Sequence, residues 1–378
     1  MQNKKKKCLI VFGTRPEAIK MAPVVHTLKK NNCFITRVCV TAQHREMLDQ
    51  VLDYFNIEAD YDLNLMKRKQ TLNNLSSRIL NQIDSVFEDF KPDLILVHGD
   101  TTTAMITSLA AFHKKIKIAH VEAGLRTHNK FFPYPEEINR QIISKITDFH
   151  FSPTKLSQKN LFDEGVSNKD TIITGNTVID SLFYTVEKTK NLNNNLTNNI
   201  IKFIGSRFLI TVTAHRRENF GEGIRNICES IKTLSQNYKD ICFVFPVHLN
   251  PVIKDIVHEI LGNIKGVLLI DPLSYENFIW LLTKSKILLT DSGGVQEEAP
   301  SLGVPVLLLR DETERPEGIE SGTVKIVGNK KNQIIKTTSD LIENKKIYNK
   351  MSNAKNPYGD GQSSKRINNF LNENFKRI

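Results

Sequence analysis

The chain has 378 residues, of which 40% are apolar and 25% charged, and its formal net charge is +11. This length favours two domains, and no apolar run approaches the roughly 18 residues of a membrane span, so we expect no membrane insertion. The five unpatterned cysteines indicate a reduced, cytoplasmic protein without a metal site, and the dispersed lysines argue against a nucleic-acid partner.

Strand and helix patterns alternate through the first half of the chain. A glycine turn at Gly13 follows the first strand, and Arg15 and Lys20 then lie at or just inside a helix N-terminus. Cations at that position oppose the helix dipole, so they favour a bound anion over a purely structural role. Apolar strands are predicted at 7–12, 34–41, 93–97, 116–121, 149–153 and 171–175.

Three carboxylates follow strands of this first half. Asp100 comes shortly after the third strand, Glu122 directly after the fourth, and Glu136 lies in the proline-bracketed loop beyond it. Asp100 could equally serve as the N-cap of the next helix. Because the carboxyl ends of parallel strands share one edge, we expect the three side chains to lie at that edge, where α/β sheets bind ligands.

The composition also predicts where the domains divide. We place the boundary after Gly175-Asn176, ahead of an asparagine-rich stretch at 190–199 that has the composition of a surface loop. Residues 1–176 then form an N-terminal domain, which a C-terminal helix at 363–378 joins, and residues 177–362 form a C-terminal domain. The second domain repeats the α/β alternation, with strands at 208–213, 241–246, 267–270, 287–289 and 304–309.

Two loops of the second domain carry polar residues at strand ends. His215 follows the first of its strands, and a DSGG turn at 291–294 follows the fourth. Two glycines let the backbone approach a phosphate closely, and the helix start after them favours an anion. Glu297 and Glu298 in the first turn could bind ribose hydroxyls. The alternative is a tight turn that Ser292 caps, with the glutamates offsetting the helix dipole.

These patterns predict an α/β fold with two doubly wound Rossmann-like domains facing across a cleft, the architecture of the two-domain (GT-B) nucleotide-sugar glycosyltransferases. Eight motifs narrow the assignment: FGTRPEAIK at 12–20, TAQHR at 41–45, VHGDTT at 97–102, HVEAGLR at 120–126, HRRE at 215–218, PVHLNP at 246–251, DSGG at 291–294 and NPYGDG at 356–361. They closely resemble motifs of the non-hydrolysing UDP-N-acetylglucosamine 2-epimerases of bacteria. The likeness extends over nearly the whole chain.

The resemblance implies reversible conversion of UDP-N-acetylglucosamine (UDP-GlcNAc) to UDP-N-acetylmannosamine (UDP-ManNAc) by inversion at C2 of the sugar. In that reaction UDP leaves C1 and the C2 proton is lost, which gives a 2-acetamidoglucal. UDP then re-adds, with a proton delivered to the other face. No metal or redox cofactor is implied, and the product would supply ManNAc units for a surface polysaccharide.

The resemblance also implies roles for individual residues. Acid/base and cation-stabilising roles fall to Asp100, Glu122 and Glu136, and Lys20 would organise this acidic cluster beside the substrate. In the second, UDP-binding domain, His215 would contact the diphosphate and help UDP to leave. Glu298 would bind the ribose hydroxyls. Further contacts with UDP are implied for Arg15, Ser292, Gly293, Gly294 and Arg315.

Regulation and assembly follow from the resemblance alone. Bacterial members of the family resemble one another in holding a second, regulatory UDP-GlcNAc beside the substrate. Gln43, Glu46 and Lys69 occupy the corresponding region of this sequence, so activation by the substrate is one expectation. A homodimer is the other.

Two other functions stay open. A hydrolysing 2-epimerase would use the same fold and the same elimination, but water would replace the returning UDP and free ManNAc would be released. A glycosyltransferase or a non-catalytic nucleotide-sugar sensor would share the fold. A transferase, however, needs an acceptor groove and does not need three carboxylates around the sugar.

Overall fold

The computed structural model describes residues 5–42, 45–65, 70–313 and 315–378. The chain divides into two compact units: unit 1 comprises Met1–Ser181 and Tyr358–Ile378, and unit 2 comprises Leu182–Pro357. Each unit contains a parallel sheet whose strands alternate with helices along the chain. The two-domain, Rossmann-like α/β fold expected from the sequence is therefore confirmed.

The described strands of unit 1 form one parallel sheet. They are β1 (Lys6–Phe12), β2 (Phe34–Val40), β3 (Tyr61–Asp62), β4 (Leu94–His98), β5 (Lys117–Val121), β6 (Phe149–Ser152) and β7 (Thr171–Ile173). Their spatial order is β3-β2-β1-β4-β5-β6-β7. The order reverses at the β1–β4 pair, so the loops after these two strands flank the point where such sheets bind ligands.

Helices alternate with these strands. They are α1 (Arg15–Lys29), α2 (Arg45–Tyr54), α3 (Leu72–Phe90), α4 (Thr102–His113), α5 (Glu136–Ile146), α6 (Lys155–Asp163) and α7 (Thr177–Thr189). In α3 the buried residues recur every three or four positions, from Leu75 through Ile79 and Ile83 to Phe90, which gives the helix one apolar stripe. Among the described residues, no helix has both the length and the apolar character to cross a bilayer.

Unit 2 repeats this arrangement. Its strands are β8 (Phe208–Thr213), β9 (Ile241–Pro246), β10 (Val267–Ile270), β11 (Ile287–Thr290), β12 (Val306–Leu308) and β13 (Val324–Ile326). The described strands follow the order β10-β9-β8-β11-β12-β13, which reverses between β8 and β11. The loops that begin at Ala214 and Asp291 flank this point, so both predicted ligand loops of the second domain lie at one place in the sheet.

The helices of unit 2 include one, α8, that begins inside the asparagine-rich stretch predicted to be a loop. They are α8 (Asn195–Ile204), α9 (Glu222–Asn237), α10 (Pro251–Leu261), α11 (Tyr275–Lys284), α12 (Val295–Glu298), α13 (Pro316–Glu320), α14 (Lys331–Glu343) and α15 (Lys345–Ser352). The predicted surface loop at 190–199 is wrong in its second half, where α8 begins. Thr197 N donates to Asn194 Oδ1 at 2.9 Å, and Asn194 N donates to Thr197 Oγ1 at 3.0 Å. This reciprocal cap starts a helix whose apolar residues Ile200 and Ile204 are buried.

The C-terminal helix α16 (Ser363–Glu373) belongs to unit 1 and packs on α1. Asp180, in the first turn of α7, accepts hydrogen bonds from Ser363 N at 3.1 Å, Ser364 N at 2.8 Å and Ser364 Oγ at 2.7 Å. The amides at a helix start have no partner within the helix, so Asp180 caps α16. It also ties the start of α7 to unit 1, and the units divide after Ser181 and before Tyr358. The boundaries predicted at 176 and 363 lie a few residues away.

Of the five cysteines, four are buried and Cys33 is exposed. Burial raises the pKa of Cys39 and of Cys228 to about 12 each, so these thiols stay protonated at neutral pH. Cys33 lies just before β2, two residues from Asn31. The side chain of Asn31 donates to Asn372 Oδ1 of α16 at 2.9 Å, so the exposed thiol sits beside the contact between this loop and α16.

Asp180→Ala should lower the free energy of unfolding by about 2–4 kcal/mol, because buried amide groups lose a charged acceptor. Urea unfolding followed by circular dichroism measures the change. Asp163→Ala removes only an exposed ion pair to Lys159, so it should change the value by less than about 0.5 kcal/mol. Equal effects of the two substitutions would contradict the capping role of Asp180.

Candidate active site

Unit 1 brings Lys20 and Glu122 together as a buried ion pair. Lys20, in the second turn of α1, donates to Glu122 Oε1 at 2.7 Å and to Oε2 at 2.9 Å. Asn176 Nδ2 donates to Oε1 at 3.2 Å, and His98 Nε2 lies 2.7 Å from Oε2. In this structure the anion predicted beside Lys20 is thus the protein's own carboxylate.

These surroundings keep Glu122 ionised. Burial alone would raise the pKa of its carboxyl group, but the charge of Lys20 and the contact with His98 outweigh burial and hold the pKa well below its usual range. The backbone of Glu122 has a φ of +66°, in the left-handed region that residues with a Cβ rarely adopt. Strain of this kind is typical of functional sites, and together with the donors it fixes the position of the carboxylate.

Asp100 has a different electrostatic environment. It does not cap α4: the N-cap is Thr101, whose Oγ1 accepts from Ala104 N at 3.0 Å, so the capping alternative is wrong. Arg140 Nε lies 3.2 Å from Asp100 Oδ2, while 29% of the Asp100 side chain stays exposed. Burial of the carboxyl group raises its pKa to about 6; Arg140 opposes this shift, and the charges of Glu122 and Glu136 add to it.

Glu136 is the first residue of α5, and its Oε2 atom is buried without a hydrogen-bond partner among the described residues. The neighbouring Glu137 has a structural role, since it accepts from Thr127 N at 3.0 Å and from His128 N at 3.1 Å and thereby shapes the loop before α5. The charge of Glu136 acts on Asp100, and Asp100 also senses Glu122. All three predicted carboxylates therefore belong to one electrostatically coupled cluster in unit 1.

The turn after β1 is held by Glu17, to which we assigned no role from the sequence, although Thr14 and Glu17 have the T-x-x-E spacing of a capping box. Glu17 Oε2 accepts from Gly13 N at 3.0 Å, and its Oε1 accepts from Thr101 Oγ1 at 2.7 Å. It therefore links the loops after β1 and β4. A Cβ at Gly13 would lie 2.0 Å from Thr41 Oγ1, so this turn requires glycine. Arg15 follows the turn and is half-buried at the start of α1.

In unit 2 the buried carboxylate of Asp291 organises the loop after β8. Its Oδ2 accepts from His215 N at 2.9 Å, Arg216 N at 2.8 Å and Asn219 Nδ2 at 3.0 Å. His215 Nδ1 lies 3.3 Å from Asp291 Oδ1. Burial lowers the pKa of His215, Asp291 opposes that shift, and Arg216 and His248 add to it. With Nδ1 beside a carboxylate, Nε2 is the ring atom that can serve a ligand.

His248 stacks on His215, with ring centroids 5.9 Å apart and planes 18° apart. Asn250 N donates to His248 Nδ1 at 3.1 Å, so the neutral imidazole carries its hydrogen on Nε2. The two imidazoles thus follow the adjacent strands β8 and β9 side by side. Together they can offer donors to an anion at the carboxyl edge of the sheet.

The glycine turn after β11 leaves room for a ligand. Gly294 precedes α12 with a helical φ of −66° and no side-chain cap, so the alternative in which Ser292 caps the helix is wrong. A Cβ at Gly294 would meet no atom within 4 Å among the described residues. Neither the backbone conformation nor the packing of the described residues therefore requires glycine at this position, and the open space there leaves room for the close approach of a bound group.

Glu297 and Glu298 are both buried but have different partners. Tyr275 OH donates to Glu298 Oε1 at 2.8 Å, whereas Arg315 Nε donates to Glu297 Oε1 at 2.6 Å. Glu297 therefore belongs to a buried ion pair, whereas Glu298 is held by a tyrosine hydroxyl. Arg315 was predicted to contact UDP. In this structure its Nε donates to Glu297, and the contact with UDP stays a prediction.

Two further predictions concern metals and regulation. Within the ranges that the structure describes, no group of three or more His, Cys, Asp or Glu is placed to hold a metal ion. Of the residues assigned to a regulatory site, Glu46 is exposed in the first turn of α2. Gln43 and Lys69 lie outside the described residues, so the regulatory site stays a prediction.

Four residues that contact the predicted site residues were not predicted from the sequence. His98 is the last residue of β4, and its strand-end position could have indicated a role. Arg140 lies in the second turn of α5 and Asn176 just before α7, so only the packing of these helices brings them to the carboxylates. Tyr275 is the first residue of α11, and nothing in its sequence context points to Glu298.

Comparison with known proteins identifies the family. Residues 26–372 match the family model described as UDP-N-acetylglucosamine 2-epimerase. The chain is also 53% identical over 373 residues to the UDP-N-acetylglucosamine 2-epimerase of Campylobacter jejuni, with 97% of each chain covered.

Solved structures agree with this comparison. The UDP-GlcNAc 2-epimerase of Neisseria meningitidis bound to UDP-GlcNAc is 51% identical, with a TM-score of 0.89 over 97% of this chain and 100% of that chain. The Methanocaldococcus jannaschii enzyme in complex with UDP-GlcNAc and UDP is 33% identical, with a TM-score of 0.80 over 97% and 99%. This chain therefore belongs to the UDP-N-acetylglucosamine 2-epimerase family.

Proposed function

We propose that the protein interconverts UDP-GlcNAc and UDP-ManNAc without releasing free sugar. Family membership supports the substrate and the reaction at C2. The mechanism rests on one observation: Glu122 is saturated with partners, whereas Glu136 keeps a buried oxygen without a described partner and Asp100 is only partly enclosed. Three carboxylates of one cluster therefore have unequal capacity to take up a proton.

The chemistry begins with the bond between C1 and UDP. The C2 proton has no adjacent carbonyl group, so direct removal is very difficult. When the C1–O bond breaks, both electrons leave with UDP, and the positive charge that develops at C1 makes the C2 proton acidic. A carboxylate accepts that proton, the C2–H electrons form the C1=C2 double bond, and the 2-acetamidoglucal results. Re-addition of UDP reverses these steps with protonation on the opposite face.

Glu122 is proposed to stabilise the positive charge at C1. Its oxygens already accept from Lys20 and Asn176, and the depressed pKa makes it a poor proton acceptor. A fixed negative charge that needs no reorganisation lowers the free energy of a cationic transition state. Lys20 acts through Glu122, so we propose it as a positioning residue rather than a direct ligand of the substrate.

Asp100 and Glu136 are the proposed proton-transfer residues. With a pKa of about 6, Asp100 can exist in either protonation state near neutral pH. Glu136 has an oxygen atom that can accept a proton. Inversion at C2 needs an acceptor for each face, so one residue would serve UDP-GlcNAc and the other UDP-ManNAc.

The diphosphate is proposed to bind the loop of His215 and the turn at 291–294. Asp291 holds that loop through its backbone amides, and His215 Nε2 would contact the departing phosphate. Donors placed in advance stabilise the charge that UDP gains as it leaves. Glu298, held by Tyr275, would bind the ribose hydroxyls, and Arg15 is retained as a proposed phosphate contact.

Three further proposals follow from the family likeness alone. The protein would form a homodimer, a second UDP-GlcNAc would bind near Glu46 as an activator, and the ManNAc product would feed a surface polysaccharide. None of these is required by the chemistry above.

UDP-GlcNAc incubated with the protein in deuterated buffer should give UDP-ManNAc with deuterium at C2 and no free sugar. Proton NMR follows the C2 and anomeric signals of both nucleotide sugars, and a reaction started from UDP-ManNAc should reach the same mixture. Free ManNAc with UDP would move the protein to the hydrolysing branch. Unchanged substrate would leave the fold standing without the proposed activity.

Substitution of the three carboxylates should separate their roles. Glu122→Gln should slow both directions by a similar factor of about 100 or more, because it removes the fixed charge beside C1. Asp100→Asn and Glu136→Gln should each abolish epimerisation. One of them should nevertheless still eliminate UDP from UDP-GlcNAc, and the other from UDP-ManNAc.

Positional isotope exchange measures this elimination, since oxygen-18 in the C1–O–P bridge scrambles into the β-phosphate whenever UDP leaves and returns. The control is Asp163→Asn, which replaces an exposed carboxylate of α6. It should show the same rates of epimerisation and isotope exchange as the unmodified protein. If Glu122→Gln blocked elimination in one direction only, Glu122 would be a proton-transfer residue and this division of roles would be wrong.

Tyr275→Phe should weaken UDP binding about three- to tenfold, because Glu298 loses the hydroxyl that positions it. Isothermal titration calorimetry with UDP measures the change. The matched control is Tyr238→Phe, which removes another tyrosine hydroxyl from a glutamate, Glu343, away from the ligand loops. Equal losses from both variants would remove Tyr275 from the binding site.

A further inference from the structure

The amino-terminal edge of the unit 2 sheet carries a row of cations. The strands β10, β9, β8 and β11 are neighbours in that order, and a basic residue precedes each of them by one or two positions. Adjacent strands lie about 4.8 Å apart, so these residues line up along about 15 Å of one edge. In strand order they are Lys265, Lys239, Arg207 and Lys286.

Helix α15 lies beside the same edge. Tyr348 of α15 packs edge-on against Phe208, the first residue of β8, with ring centroids 5.9 Å apart. Tyr238, at the end of α9 and before β9, donates its hydroxyl to Glu343 at the end of α14. These contacts place the lysines of α15 next to the row of cations.

We call the resulting surface the basic face. The acidic residues near it include Asp240, which follows Lys239 in the chain, and Asp340 and Glu343, which lie near Tyr238. In the part of the chain that the structure describes, no basic residue of this face forms an ion pair with a carboxylate, so the protein leaves a surplus of positive charge there. Its nine members are Lys202, Arg207, Lys239, Lys265, Lys284, Lys286, Lys345, Lys346 and Lys350.

Helix stability explains only part of this charge. Lys202, Lys284 and Lys350 lie in the last turns of α8, α11 and α15, where cations favour the helix dipole. Arg207 donates to the carbonyl of Ile204, the last residue of α8. Lys345 and Lys346 begin α15, where cations oppose the dipole. Lys239 and Lys265, which precede β9 and β10, lie outside any helix. The fold therefore does not require most of these charges.

Two exposed isoleucines are set among the lysines. Ile201, next to Lys202, is 49% exposed, and Ile347, next to Lys346, is 39% exposed. Surfaces that lie on a bilayer combine these features, because lysines meet the lipid phosphates while apolar side chains reach the boundary of the acyl chains.

The composition of the face favours lipid over nucleic acid. Eight of the nine cations are lysines, which act as point charges, whereas arginine is the residue suited to bidentate recognition of phosphates and bases. Tyr348 and Tyr238 are engaged in packing and in a hydrogen bond rather than displayed for base stacking.

The ligand loops of unit 2 lie at the opposite edge of the sheet. The segment 291–320, which includes the turn after β11 and the loop after β12, carries eight acidic residues against two arginines. The carboxyl edge is proposed to bind the single diphosphate of UDP through His215 and the turn at 291–294. The cations of the opposite edge form an extended row, which is the side of unit 2 suited to an anionic surface.

We propose that unit 2 docks through the basic face on the surface of an anionic lipid bilayer, as a reversible contact without a membrane span. The ligand loops then face away from the lipid, so docking leaves turnover unchanged. The contact is electrostatic and weakens with salt, because the Debye length falls from about 10 Å at 0.1 M to about 3 Å at 1 M.

Co-sedimentation of the full chain with lipid vesicles tests this proposal. At low salt the protein should sediment with vesicles of phosphatidylcholine and phosphatidylglycerol, and high salt should release it. Vesicles of phosphatidylcholine alone should not retain it. Absence of binding at low salt, or equal binding to both kinds of vesicle, would overturn the proposal.

Charge-reversal variants locate the contact. The variant Lys345→Glu, Lys346→Glu, Lys350→Glu should bind anionic vesicles about tenfold more weakly or worse, with unchanged epimerisation of UDP-GlcNAc in solution. The control reverses three exposed lysines of unit 1, Lys29, Lys30 and Lys155, and so has the same net charge; it should keep its affinity.

Two results would overturn the assignment to this face and to lipid. If the control lost as much affinity as the α15 variant, net charge rather than the basic face would account for binding. If duplex DNA displaced the protein from vesicles at equal phosphate concentration, the face would be a general polyanion surface. Epimerase activity is measured separately, so its loss would not be mistaken for failed docking.

Discussion

A buried lysine stays charged only beside a carboxylate, and this constraint organises unit 1. Lys20 and Glu122 satisfy each other through two short hydrogen bonds. Removing Glu122 would leave Lys20 without this carboxylate and would cost roughly 3–5 kcal/mol of folding free energy. The pair joins α1 to the loop after β5, and Asn176 adds the start of α7. One carboxylate of the cluster is thereby committed to the ionised state. In Asp100, by contrast, burial raises the pKa to about 6.

The two units hold the loops of their candidate sites by the same means. In unit 1 Glu17 accepts from the amide of Gly13, and in unit 2 Asp291 accepts from the amides of His215 and Arg216. Each carboxylate is buried and lies where the strand order of its sheet reverses. The backbone of each loop is therefore positioned by internal acceptors before any ligand arrives. Preorganisation of this kind allows donors to stabilise a charge that develops during a reaction without moving first.

Much of this could be predicted from the sequence, for identifiable reasons. Buried parallel strands are short apolar runs, so the core strands were placed to within a residue or two, and strand ends pointed to Asp100, Glu122 and His215. The capping alternative for Asp100 failed because Thr101 offers a hydroxyl one residue later. The asparagine-rich stretch proved helical from Asn195 because a reciprocal cap outweighs composition. Contacts such as Tyr275 with Glu298 join residues far apart in the chain, and no local pattern encodes them.

The cysteines have a practical consequence. Because four thiols are buried, a maleimide reagent can reach Cys33 selectively in the folded protein, without any mutagenesis. A fluorophore at that position would sit beside Asn31, whose amide contacts α16. Its emission would change if the C-terminal helix came away from unit 1. The native sequence thus already contains a specific attachment point for an optical probe of its last helix.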